Sequence, residues 1–315
     1  SRRRQIQPAA GLTNYDTCVT TVSNKLKRVH RMGRCQPGNR LSWCLVLIAS
    51  LCLGSAVALA EGEQLSVSGS TTLLPLTQQL AREFQRLHPT AEVSVSGGGS
   101  AIGMEALIQN RVAIAGSSRF ITRDEVARAM ASGVYPVPFR IADDCVLPIV
   151  HKRNAVRSLS LADLGRVYRG EIDNWQQLGG EDRPIVVVSR DKSSGTFTTW
   201  QTLVMAQHGL VSGAVVVDSN REVVEVVSRK RGAIGYIGLG YLNANVKPLS
   251  VNGVMGSLRS VRDGSYAITR SLFLFADGWP SGVTLEFINY VLDPEGGQRV
   301  VDRAGFIPLY NHKLN

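Results

Sequence analysis

Beyond residue 61, short apolar runs rich in β-branched residues alternate with stretches of helical periodicity, and this alternation constrains the fold most strongly. Runs at 64–68, 91–96, 112–115, 145–151, 185–189, 233–237 and 271–275 have the length and composition of strands. Helical spacing appears at 72–88, where Leu73, Leu76, Leu80, Phe84 and Leu87 recur along one face. It appears again at 100–109, 122–132, 160–168, 196–208, 221–229, 283–292 and 294–304. Such alternation predicts an α/β chain whose sheets are mainly parallel and flanked by helices. The 255 residues after position 60 can bury one large core or two ordinary ones, yet no Pro/Gly/Ser-rich linker divides them. Two lobes joined by strands that cross between them account for the missing linker.

The charge of the chain is unevenly spread. Residues 1–60 hold nine of its 35 basic residues and one of its 25 acidic ones, Asp16. The remainder therefore carries 26 basic against 24 acidic residues, an excess of two. A basic protein seeking nucleic acid is not the reading this supports, because the excess belongs to one end. Four of the five cysteines (Cys18, Cys35, Cys44 and Cys52) also fall there, so Cys145 alone cannot build a disulfide framework or a zinc site.

Residues 41–60, from Leu41 to Ala60, form an apolar run that follows Arg31, Arg34 and Arg40 and ends in small residues at Ala58 and Ala60. That is the pattern of a secretory signal peptide cleaved after Ala60, and it predicts an exported, periplasmic protein. The alternative is a membrane anchor through the same twenty residues. Neither Cys44 nor Cys52 stands in a lipidation context, and Met32 sits where a signal peptide begins, so residues 1–31 stay out of the fold reading.

One local chemistry occurs three times: Gly69-Ser70-Thr71-Thr72, Gly97-Gly98-Gly99-Ser100 and Ser193-Ser194-Gly195-Thr196 each follow a strand and open a helix. The first N–H groups of a helix lack intrahelical acceptors, and the helix dipole adds partial positive charge there. Glycine admits a ligand close to the backbone, and hydroxyls supply further donors. Any one of these turns could be an ordinary N-cap. Three of them, with Arg190 ahead of the third and Arg119 closing Gly116-Ser117-Ser118-Arg119, point to a small tetrahedral oxyanion.

Competing chemistries lack their motifs. No nucleotide P-loop is present, Ile102 stands where a dinucleotide loop needs its third glycine, and Ser100 is not in a nucleophile elbow. The five histidines are scattered without metal-ligand spacing, and Asp143 and Asp144 point to opposite faces of a strand. No catalytic constellation, metal site or cofactor is expected.

These motifs, in order, resemble the periplasmic phosphate-binding proteins of high-affinity phosphate ABC importers. The likeness covers residues 64–310 and includes Gly69–Pro75, Ser96–Ser100, Ala115–Arg119, Ser189–Thr196, Gly232–Gly238, Tyr290–Gly296 and Ala304–Pro308. It implies a type II two-lobe binding-protein fold, with residues 61–142 plus 255–315 as one lobe and 143–254 as the other. It also implies inorganic phosphate in the interlobe cleft, membrane permease and ATPase subunits as partners, and a monomer without cofactor. Carried over by resemblance, the phosphate donors fall on Thr71, the backbone of Thr72, Ser100, the guanidinium of Arg190, Ser194 and the N–H groups of Gly195 and Thr196, with Ser118 a further binding candidate and Asp191 beside Arg190 to orient it.

The chain departs from that pattern at Arg119, where well-known members place an aspartate that accepts the proton of hydrogen phosphate. Arginine has only donors. The expectation is that Asp144 lies near Arg119 and the ligand and supplies the missing acceptor. The alternatives are another oxyanion, such as sulfate, molybdate or tungstate, or a phosphate-responsive surface protein.

Overall fold

β1 (Glu63–Gly69) opens the described part of the chain, residues 63–310 of the computed structural model. It is followed by α1 (Leu74–Leu87), β2 (Ala91–Ser96), α2 (Ser100–Ile108), β3 (Ile114–Ser117) and α3 (Arg123–Ala131). Each helix forms for a legible reason. α1 presents Leu76, Leu80 and Phe84 on one fully buried face, and α3 starts at a capping box in which Thr122 and Glu125 satisfy each other's backbone N–H groups. β2 alternates buried Ala91 and Val93 with exposed Glu92 and Ser94, as an edge strand should.

The long strand β4 (Pro136–His151) then leads through β5 (Ser158–Leu159), α4 (Leu161–Arg169) and a 3₁₀ turn at Trp175–Leu178 to β6 (Val186–Arg190). Next come α5 (Gly195–Leu203), β7 (Val215–Val217), α6 (Asn220–Arg229) and β8 (Ala233–Gly238). The chain ends with β9 (Val246–Pro248), β10 (Ser250–Val251), α7 (Leu258–Arg262), β11 (Thr269–Asp277), α8 (Gly282–Leu292) and α9 (Gly297–Arg303).

The strand order is β2-β1-β3-β11-β4-β8-β6-β7, with β9 also on β4. On either side the pairs are parallel: β1 with β2 and β3, and β6 with β7 and β8. In the middle β11 and β4 run antiparallel to each other and to their flanking strands. β4 serves both halves, pairing with β11 up to Cys145 and with β8 and β9 from Val146 to His151. Two main cores flank this seam. One gathers Leu65, Leu80, Phe84, Phe287 and Phe306, and the other gathers Val150, Tyr168, Trp200, Val227 and Tyr236.

The expected elements are present, joined by the unforeseen short strands β5, β7, β9 and β10 and helix α7, and four further points differ. β4 starts at Pro136 rather than 145. The prolines at 136 and 138 hide it, but this stretch pairs only with β11, so a missing N–H can face outward. α1 begins at Leu74, because Ser70 O takes the N–H groups of Leu73 and Leu74 in a preceding turn. α5 stops at Leu203, short of 208, where Ala206 and Gln207 take positive φ. Finally, Tyr266 and Ile268 pack in the second core, so a boundary at 255 cuts through that core instead of bordering it. The signal-peptide reading of residues 41–60 lies outside the described residues. No helix among the described residues is long and apolar enough to cross a membrane.

Candidate anion site

Arg190 ends β6 with a fully buried side chain. Its Nε donates to Val217 O (3.2 Å) and its Nη2 to Asp218 O (2.6 Å) and Thr71 Oγ1 (3.1 Å). Nη1 is buried and has no hydrogen-bond partner. A buried guanidinium donor without an acceptor is costly, so this nitrogen marks where an acceptor belongs. Burial pulls the Arg190 pKa below its ordinary value, and the nearby charge of Arg270 adds to that. Asp191 is less of a partner than the sequence suggested. Its Oδ2 lies 3.8 Å from Nη2 and is itself buried without a hydrogen bond, while Oδ1 accepts from Ser193 N (2.7 Å).

The three Ser/Thr-Gly turns meet one another, and the first touches this arginine through Thr71. Thr71 and Thr72 stand in the turn before α1, with the Thr72 N–H already donated to Ser70 Oγ (3.2 Å), so their hydroxyls are the available groups. Thr72 Oγ1 lies 3.0 Å from Thr196 Oγ1 across the seam, and Asn220 Nδ2 reaches it at 3.2 Å. Tyr241 Oη donates to Thr71 O at 2.5 Å. Ser100, first residue of α2, places its Oγ 3.3 Å from Ser118 Oγ and accepts from Ser118 N (3.1 Å). Gly195 begins α5, with Ser194 as its N-cap. A Cβ on Gly195 would fall 2.5 Å from Ser100 Oγ and 2.6 Å from Ser118 Oγ, so only glycine lets these elements meet. As first residues of α5, Gly195 and Thr196 offer N–H groups that the helix leaves without acceptors.

Arg119 does not join this cluster. Its guanidinium is held bidentately by Glu125 at 2.6 and 2.8 Å and donates to Phe120 O. Burial alone would raise the Glu125 pKa, but hydrogen bonds from Arg119 and Thr122 outweigh it and hold the carboxyl below its ordinary value. Asp144, fully buried, is therefore not beside a free Arg119. Its partner is Arg270 of β11, which donates from Nε (3.0 Å) and Nη2 (2.7 Å) to Oδ2, while Leu239 N donates to Oδ1 (3.0 Å).

Arg270 is the residue the sequence reading missed. Besides gripping Asp144, its Nη1 donates to Thr196 Oγ1 (2.9 Å) and its Nη2 to Thr72 Oγ1 (3.1 Å). The only signal was an arginine in TRSLFLFAD at a buried position of a strand whose other buried residues are apolar. Asn220, Tyr236 and Tyr241 were also unforeseen. Tyr236 Oη accepts from Arg190 N (3.1 Å) and contacts Ser189 Oγ, and its ring is stacked on Trp200 at 4.4 Å.

The buried groups here are two guanidiniums against one fully buried carboxylate, ringed by hydroxyls and helix N-termini. That excess of donors suits an anion of small size. Among the described residues no three His, Cys, Asp or Glu side chains gather as metal ligands.

A family model, the PBP superfamily domain, matches residues 55–295. The chain belongs to the PBP superfamily. It is 30% identical over 261 residues to the phosphate-binding protein PstS of Bacillus subtilis, covering 81% of this chain and 85% of that protein. It is 28% identical over 256 residues to PstS of Borreliella burgdorferi, covering 78% and 89%. Among solved structures it superposes on one from Clostridium perfringens, assigned to a phosphate ABC transporter and holding bound phosphate. That match has a TM-score of 0.73 and 29% identity over 79% of this chain and 100% of that one. An ABC-type phosphate transport receptor from Vibrio cholerae gives a TM-score of 0.64 and 27% identity over 77% and 99%. The fold is thus that of the PBP superfamily, with the expected α/β lobes flanking a crossing pair of strands.

Proposed function

We propose that this chain is an exported solute-binding protein that captures inorganic phosphate and delivers it to the permease and ATPase subunits of an ABC importer. The observation that carries the reading is the buried, unpartnered Nη1 of Arg190, a guanidinium that touches Thr71 and so borders the buried hydroxyl cluster of the three turns. Residues 61–142 and roughly 269–315 act as one lobe, and 143 to about 268 as the other. The lobes close as a hinge about β4 and β11, and ligand favours the shut form. The reading requires no covalent step, and it takes the protein as a monomer.

Hydrogen phosphate carries a proton that sulfate lacks at neutral pH, so a selective site needs an acceptor. Asp144 already receives three hydrogen bonds from Arg270 and Leu239. We assign it the task of aiming Arg270, and we assign the acceptor role to Asp191, whose Oδ2 is buried and free of hydrogen bonds. Sulfate competition against Asp191→Asn and Asp144→Asn separates the two: loss of phosphate preference in Asp144→Asn alone would overturn the assignment.

Thermal unfolding with phosphate, sulfate, arsenate and molybdate tests the whole reading. A ligand that binds only the folded protein stabilises it by about 2.7 kcal/mol at a hundredfold excess over Kd. Phosphate should shift the melting temperature, and Arg190→Met should abolish the shift. A shift with molybdate or sulfate alone would reassign the ligand. No shift with any oxyanion would point instead to a surface interaction protein.

A further inference from the structure

The end of the second half remote from the anion site carries a cluster of basic side chains that the site does not use. β4 ends at His151 and is followed by exposed Lys152, Arg153 and Arg157. Next to it in the sheet, β8 is entered through exposed Arg229, Lys230 and Arg231. Two further cations are woven into the same end. Lys247 on β9 donates from Nζ to Val156 O (2.7 Å), and the Arg183 stem lies against Gly232.

Their proximity is independently marked at His151. Burial lowers its pKa, and the positive charges of Arg231, Arg153 and Lys152 lower it further. The acidic residues on the segments that reach this end, 173–183 and the last turns of α6, are Asp173, Glu181, Asp182 and Glu225. Glu181 pairs with Arg231 (3.6 Å) and Arg183 (3.3 Å), whereas Lys152, Arg153, Arg157, Arg229 and Lys230 have no ion-pair partner among the described residues.

Eight basic against four acidic residues at one end leave 18 against 20 over the rest of residues 61–315. The near-neutral body is therefore polarised, with all of its positive excess gathered there. From Asp144 at the site to His151 is seven strand residues, or roughly 23 Å at about 3.3 Å per residue. A surface docked on the cluster thus leaves the cleft uncovered.

We propose that this cluster is a docking face for an anionic lipid surface, which holds the protein beside the membrane while the cleft stays open to solute. Headgroup phosphates are matched by charge alone, which is what exposed Lys and Arg without fixed partners provide. Nucleic acid fits less well: the aromatic side chain at this end, Trp175, is buried and supplies no stacking platform. The inference does not depend on which anion fills the cleft. It does require that the chain meet such a membrane, as an exported protein does.

The test is sedimentation of the full chain with vesicles of phosphatidylcholine alone, or with added phosphatidylglycerol, at low and half-molar salt. Lys152→Glu/Arg153→Glu/Lys230→Glu is compared with Arg82→Glu/Arg111→Glu/Arg123→Glu, which makes the same charge change elsewhere. All forms share residues 1–62, so the difference between them reads the cluster. The expected result is salt-sensitive binding that requires phosphatidylglycerol and drops by more than roughly 100-fold in the first variant only, since each cation near an anionic surface contributes roughly fivefold. Unchanged melting temperatures show that both variants fold. Phosphate-induced stabilisation should persist in the first variant, and its loss in the native chain would count against the transport reading while leaving this one standing. Equal losses in both variants, binding indifferent to phosphatidylglycerol, or displacement from vesicles by duplex DNA at equal phosphate concentration would overturn the proposal.

Discussion

Among the described residues, Arg119–Glu125 and Arg270–Asp144 are two largely buried arginine–carboxylate pairs, and they do opposite things with their spare hydrogens. Arg119–Glu125 joins residues six apart at the end of β3; Thr122 shares the same carboxylate and Phe120 O takes another guanidinium hydrogen. Arg270–Asp144 joins residues 126 apart on the crossing strands, and its remaining N–H groups reach Thr72 and Thr196 from opposite halves of the sheet. The first pair is consumed by its own loop. The second leaves a guanidinium edge on the candidate anion site. Which arginine reaches the hydroxyl cluster is decided by where its leftover donors point rather than by its nearness to a Ser-Gly motif.

Removing Arg270 is the most severe way to probe this contrast. Arg270→Ala strands the Asp144 charge in the core, which costs about 3–5 kcal/mol, and a urea titration should show it. The same variant should weaken phosphate binding in calorimetry by roughly 10- to 100-fold, the value of one or two charge-assisted hydrogen bonds. A comparable loss of phosphate binding in Arg119→Ala would break the comparison.

Glu125→Gln should destabilise the fold by roughly 1.5–3 kcal/mol, because it weakens a nearly buried ionic pair, yet leave phosphate affinity within a few fold. Its pH dependence has a definite sign. The folded pKa of Glu125 lies below the ordinary 4.5, so the pair contributes fully above that value and the contribution fades as pH falls through the folded pKa. Acid unfolding of the native chain and of Glu125→Gln should therefore converge at low pH, and parallel curves would refute the pairing.

The smallest effect is expected at the rim. Ser193 Oγ donates to Gly98 O (3.2 Å), and Ser193 O accepts from Ala101 N (3.0 Å), tying the α5 turn to the α2 turn. Gly99 has φ +122°, and a Cβ there would lie 2.4 Å from Ser193 Oγ. Ser193→Ala should speed phosphate release in stopped flow by roughly 2- to 10-fold, one neutral hydrogen bond's worth.

Much of this was legible in the chain itself. Strand–helix alternation and glycine placement located nearly every major element and all three turns, because these signals are local. Arg190 could be singled out as a candidate for the same reason, being directly ahead of a helix-opening motif. Arg119 was misread because the Thr122-x-x-Glu125 capping box, visible in the sequence, was not seen as a competitor for its guanidinium. Arg270 and Asn220 escaped because their roles arise only when distant strands pair. The register that sets Arg270 opposite Asp144 is a property of the crossing pair, and no window of sequence contains it. The polarisation of the body was likewise concealed, since a net excess of two says nothing about where charges gather.

The Trp200–Tyr236 stack makes the protein its own optical gauge. The rings lie 4.4 Å apart at 9°, and the same tyrosine hydroxyl touches the Arg190 backbone. Trp175 is buried against the basic end and Trp279 is exposed on the other half of the sheet. Among the three tryptophans of the described residues, Trp200 is the one coupled to Arg190, through Tyr236, so its emission is the expected readout of any ligand that shifts that arginine.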